Sequence, residues 1–101
     1  MLDTVSYGLT ELENEDNVIN TKALIEHECK VGDHNHLSTN SVINGNVIVG
    51  NNVFLGSSSV CNGQLKIGSN AIIGSGSVII KDIPEKVTVV GVPARVIKRR
   101  D

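Results

Sequence analysis

From Ile19 onward an apolar residue returns every six positions without a slip: Ile19, Ile25, Val31, Leu37, Ile43, Val49, Leu55, Cys61, Ile67, Ile73 and Ile79. At 40% hydrophobic content, eleven positions drawn at random would hold about four or five apolar residues; here all eleven are apolar. Four residues after the first ten stand Ala23, Cys29, Asn35, Ser41, Val47, Val53, Ser59, Leu65, Ala71 and Ser77, which are mostly small. The residue directly after the apolar one is glycine five times, at 32, 50, 56, 68 and 74. A period this regular outranks any local reading of secondary structure.

A short strand that faces one apolar residue inward, followed by a corner where a small side chain fits, accounts for the spacing. Three such faces close a triangular coil of 18 residues, and successive coils stack at about 4.8 Å. Each apolar residue then lies over the one 18 positions earlier. Residues 19–80 make about three and a half coils. A helix would need spacings of three and four, and a sandwich would show alternation with irregular loops. Composition agrees, because 14 Val and 11 Ile favour strands. Eleven Asn and ten Gly supply residues that tolerate positive φ in tight turns. The predicted class is all-β, with residues 1–17 as an acidic arm or cap and 18–101 as the coiled domain. Beyond the coils the period breaks at Pro84 and Pro93, and the run from Lys81 to Arg100 reads as a terminal strand and cap.

Other classes are excluded quickly. The formal charge is −2 and there are two aromatic residues, one Tyr and one Phe, which argues against a base-stacking nucleic-acid platform. The first 16 residues have neither the basic nor the apolar part of a secretory signal. No apolar run approaches the length of a membrane helix. Cys29 and Cys61 lack metal-ligand spacing and read as buried, reduced thiols of a cytoplasmic protein. Residues 1–30 hold seven acids against two lysines, with Glu11, Glu13, Glu15 and Asp16 clustered; the stretch reads as a solvated arm or as a polar cap on the first coil.

A prism of so few coils has little interior and exposed sheet ends, so it should gain much by packing against copies of itself. Its chemistry concentrates in three histidines, His27, His34 and His36. His27 stands in the run Glu26-His27-Glu28-Cys29, where either carboxylate could support an imidazole acting as a base; a surface histidine among acids is the plainer reading. His34 and His36, two apart, would face the same side of a strand, which is half of a metal site at most, and no metal is expected. His27 and His36 are nine residues apart, half a coil, and so project from different faces. A site using both needs two subunits.

The pattern [LIV]-G-x-x-[small]-x resembles the hexapeptide repeat of left-handed parallel β-helices. The runs NTKALIEHECKVGDHNHLS, NGNVIVGNNVFLGSSS, IGSNAIIGSGSVIIKDIP and GVPARVI resemble the sugar O- and N-acetyltransferases of the NeuD/PglD type, over about residues 18–98. The resemblance implies a cytoplasmic homotrimer that moves an acetyl group from acetyl-CoA to an amino or hydroxyl group of a nucleotide 4-amino sugar or a sialic acid. It implies His27 as general base, Glu28 as the acid that raises its basicity, and His36 as a contact to acetyl-CoA. Backbone groups at positions matching Ser57 and Ser75 add further coenzyme contacts. Transfer would be direct, without an acyl-enzyme. The basic tail, Arg95, Lys98, Arg99 and Arg100, could approach coenzyme phosphates, though a solvated tail is the simpler reading. Members of this group carry an N-terminal nucleotide-sugar domain that residues 1–17 do not match, Gly8 standing alone. The alternative is therefore a non-catalytic oligomerising scaffold. Three-histidine zinc carbonic anhydrases and ice-binding ladders fit less well, since the histidines are too close together and only five Thr occur.

Overall fold

The computed structural model describes residues 11–12, 17–20 and 22–100. The apolar residue of each hexad points inward and the residue before it points out, giving two-residue strands along three faces. The first face stacks β1 (Glu11–Leu12), β4 (Lys30–Val31), β7 (Ile48–Val49) and β10 (Lys66–Ile67). The second stacks β2 (Val18–Ile19), β5 (His36–Leu37), β8 (Phe54–Leu55), β11 (Ile72–Ile73), β13 (Val87–Val90) and β14 (Arg95–Arg99). The third stacks β3 (Leu24–Ile25), β6 (Val42–Ile43), β9 (Val60–Cys61) and β12 (Val78–Ile79).

Pairing is parallel, and from β2 to β12 each residue lies beside the one 18 positions later, as in Val18↔His36↔Phe54↔Ile72 and Leu24↔Val42↔Val60↔Val78. The core is therefore three aliphatic columns. Ile25, Ile43, Cys61 and Ile79 line the third face, Val31, Val49 and Ile67 the first, and Ile19, Leu37, Leu55 and Ile73 the second, each at most 2% exposed. The fold is an all-β parallel β-helix, as the period requires. Glu11 and Leu12 pair with Lys30 and Val31, so part of the acidic segment joins the first face. The remainder of residues 1–16 lies outside the described residues.

Two features differ from the sequence reading. The backbone turns left-handed three residues after the apolar position, at neither the glycine nor the small residue of the repeat: φ is near +60° at Lys22, Glu28, His34, Asn40, Asn46, Asn52, Ser58, Gln64 and Asn70. Asparagine fills four of these nine corners, which accounts for four of its eleven occurrences. The repeat glycines serve another purpose, the close approach of coils. A Cβ at Gly56 would stand 2.6 Å from Ser75 N, and one at Gly68 would stand 2.6 Å from Glu85 N. Gly56→Ala should thus cost about 1–3 kcal/mol through overpacking. Gly76, at a left-handed corner (φ +72) with open space around it, should accept Asn with little loss. Thermal unfolding of the two variants separates these causes.

The second difference lies at the C-terminal end. Ile83 follows Ile79 by four residues instead of six, and the period then resumes with Val89. Pairing offsets fall from 18 to 16, as in Ile67↔Ile83 and Ile73↔Val89. β13 thereby completes a last, shortened coil, and β14 folds back antiparallel on it with a bulge at Thr88/Val89. The basic tail is consequently held in place. Arg100 N donates to Lys86 O at 2.7 Å and its guanidinium to Asn70 O at 2.6 Å.

Candidate functional site

Three edges separate the faces, and each repeats every 18 residues. His27 lies on the edge between the third and first faces, two residues past Ile25. The positions above it on that edge are Gly45, Gly63 and Lys81. Glu28 occupies the adjacent left-handed corner (φ 61). Its Oε1 stands 3.8 Å from His27 Nδ1, with both side chains more than half exposed. That distance exceeds a hydrogen bond, so Glu28 acts on the imidazole through space and does not orient it.

Gly45 was missed by the sequence reading. A Cβ there would lie 3.5 Å from His27 Cε1 and 3.6 Å from Nε2, ordinary contact distances. Gly45 is also absent from the positive-φ residues. Neither backbone conformation nor coil packing demands glycine at this position. Its effect is to leave the Nε2 side of the ring uncovered. The signal was present in the sequence: of the corner positions two past each apolar residue from 27 to 81, only 45 and 63 are glycine, and both share the His27 edge.

His36 projects outward from the second face, between Val18 below and Phe54 above. Its ring centroid is 5.1 Å from that of Phe54, tilted by 37°. Asn20 Nδ2 approaches His36 Nε2 at 3.1 Å. Ser57 and Ser75 are exposed and stack one coil apart on the second–third edge, where Gly76 N donates to Ser57 O at 2.9 Å. In a three-sided prism the His27 edge lies opposite the second face. One chain therefore brings His27 and Glu28 together, and places His36, Ser57 and Ser75 on the far side.

His34 does not share a strand side with His36. It sits at a left-handed corner (φ 60) of the first–second edge, which removes the paired-histidine geometry expected from the i, i+2 spacing. Among the described residues no three His, Cys, Asp or Glu side chains group to hold a metal. Both cysteines are free and buried. Burial raises the Cys29 thiol above its ordinary range, and its Sγ donates to Asn44 O at 3.1 Å. Burial pushes Cys61 up to about 12, with the charges of Cys29 and Asp82 adding to it. Both thiols are buried and favoured in the protonated form, which makes each a poor nucleophile. No helix among the described residues is long and apolar enough to cross a membrane.

Residues 28–63 match the family model described as bacterial transferase hexapeptide (six repeats). That stretch carries the hexapeptide repeat. This repeat fits a left-handed winding of the coils, and the fold is accordingly a left-handed parallel β-helix. No curated protein matches the chain by sequence. Among solved structures, LpxA from Acinetobacter baumannii is 36% identical over 82% of this chain and 32% of its own length, with a TM-score of 0.81. A histidine variant of perosamine N-acetyltransferase from Caulobacter crescentus, solved with CoA and GDP-perosamine, is 30% identical over 94% of this chain and 51% of its own, with a TM-score of 0.77. Serine acetyltransferase from Neisseria gonorrhoeae is 28% identical over 90% of this chain and 38% of its own, with a TM-score of 0.71. The chain thus spans about a third of LpxA and half of the perosamine enzyme.

Proposed function

We propose that this protein transfers an acetyl group from acetyl-CoA to an amino or hydroxyl group of a sugar, a nucleotide 4-amino sugar or a sialic acid of bacterial-type glycan biosynthesis, in the cytoplasm. The observation that carries the reading is the exposed His27, with Glu28 beside Nδ1 and no side chain at position 45 to cover Nε2. His27 Nε2 takes a proton from the acceptor as the acceptor nitrogen or oxygen bonds to the thioester carbonyl carbon. The C–S bond then breaks, and the imidazolium returns the proton to the departing sulfur. The Glu28 carboxylate stabilises the transient positive charge. Two buried, protonated cysteines support direct transfer over an acyl-cysteine route. The perosamine enzyme's complex with CoA and a nucleotide sugar supports the substrate class.

The working unit in this reading is a homotrimer. His36, Ser57 and Ser75, which contact acetyl-CoA in the proposed complex, reach His27 only from a second copy. If the first face of one copy packs on the second face of the next, the His27 edge of one and the Ser57–Ser75 edge of the other become the two walls of a groove. Both packed faces carry exposed apolar residues, Ile48 at 45% on the first, Phe54 at 41% and Val18 at 39% on the second. Three copies close the ring.

The test is free-thiol release from acetyl-CoA with a panel of nucleotide 4-amino sugars and sialic acids. Acceptor-dependent release is expected; a folded oligomer that neither binds acetyl-CoA nor releases thiol overturns the reading in favour of a scaffold. Gly45→Ala should fold with an unchanged melting temperature and lose about 10-fold or more in rate, because its methyl covers the reacting face of His27. Unfolding and thiol release on the same preparation check both halves.

A further inference from the structure

The contact between Asn20 and His36 joins two residues 16 apart that the repeat itself does not align. β5 faces His36 outward, and the side chain of Asn20, at the end of β2 one coil below, reaches up to it. Asn20 Nδ2 is a donor without a lone pair, so at 3.1 Å it requires His36 Nε2 to accept. A neutral imidazole that accepts at Nε2 carries its proton on Nδ1. Phe54, stacked above at 5.1 Å, and Val18 below confine the ring between apolar neighbours. The outward side chains of the second face next to His36 are Val18 and Phe54, and neither competes for a ring nitrogen. No second partner holds Nδ1 among the described residues.

We infer that Asn20 is a positioning residue that fixes neutral His36 as the Nδ1–H tautomer, making it a one-way hydrogen-bond donor to a carbonyl oxygen of the acyl donor. The inference rests on the proposed function for the identity of that acceptor, while the tautomer itself does not depend on it. A freely rotating or tautomerising imidazole would present a lone pair to the same oxygen for part of the time and lose the contact. Carbonyl groups of the thioester and of the pantetheine amides are acceptors only, so a locked donor selects for them. Asn20 needs no contact with the coenzyme to do this.

The experiment is two-bond 1H–15N correlation of the imidazole rings in the full-length protein, at a pH where His36 is neutral, with the His36 signals assigned by their loss in His36→Gln. The wild type should show Nδ1 protonated and Nε2 bare. Asn20→Ala should shift His36 toward the Nε2–H form that a free imidazole prefers, and weaken CoA binding by about 3- to 10-fold, the range for one neutral hydrogen bond. Asn20→Asp keeps the side-chain shape but demands a donor at Nε2; it should invert the tautomer and weaken CoA binding by about 10-fold or more. The backbone bonds of Asn20, from its N to Leu37 O and from Ala23 N to its O, involve no side-chain atom, so both variants should fold. A wild-type His36 protonated at Nε2 overturns the inference, as does CoA affinity that follows neither substitution. An Nδ1–H tautomer in a protein that binds no CoA overturns the donor role together with the proposed function, while the hold of Asn20 on the ring stands.

Discussion

His27→Ala should lower acceptor-dependent thiol release by about 10²–10⁴-fold, the usual contribution of general-base assistance, with the melting temperature unchanged. The ring is more than half exposed and lies outside the three core columns, so its loss removes chemistry and little packing. Glu28→Gln should cost much less, about 10-fold or below, because a carboxylate 3.8 Å from Nδ1 and largely in water is strongly screened. The order of these effects is informative. If Glu28→Gln were as damaging as His27→Ala, the two would form a tight dyad that the 3.8 Å separation does not support. If His27→Ala retained full activity, acetyl transfer by this edge of the prism would be wrong.

Phe54→Asp should convert the proposed trimer to monomers and abolish activity together. Phe54 stands 41% exposed on the second face, and burying such a side chain contributes about 2 kcal/mol at each interface. A closed trimer repeats that interface three times, so truncation alone would weaken assembly by roughly 10⁴-fold, and a carboxylate placed there would weaken it further. Sedimentation velocity reads the mass, and the thiol assay on the same sample reads function. Val60→Thr, on the third face that the proposed packing leaves outward, should keep both trimer and activity. A Phe54→Asp protein that sediments as a trimer would place the interface elsewhere.

The architecture was legible because a single rule, one inward apolar residue per six, determines faces, coil length and stacking at once. The 18-residue register from Val18 to Ile72 is that rule applied three times over. Its exceptions were less visible. The left-handed corners at Lys22, Glu28, His34 and Gln64 carry residues with no glycine-like signature, so the turn position could not be picked out by residue type. The two-residue contraction before Ile83 read as the end of the repeat, because Pro84 interrupts it just where the register shifts. Arg100 looked like a solvated tail residue, since nothing local in the sequence indicates that the backbone carbonyl of Asn70, 30 positions away, accepts its hydrogen bond.

The candidate site divides in the same way. His27 and Glu28 are sequence neighbours at one corner, so their pairing was readable from the run Glu26-His27-Glu28. Gly45 becomes meaningful only once the 18-residue coil places it over His27. The contact between Asn20 and His36 spans a coil less two residues and depends on side-chain reach, which no period encodes.

Mixed oligomers test the composite site most directly. His27→Ala chains, which lose the base, and His36→Ala chains, which lose the coenzyme contact, would be unfolded together in equal amounts, refolded and assayed for thiol release at subsaturating acetyl-CoA, beside each variant alone. A groove that takes His27 from one copy and His36 from the next should recover about a quarter of wild-type activity, since one site in four then pairs two intact residues. Recovery no greater than the sum of the separate variants would contradict a site shared between copies.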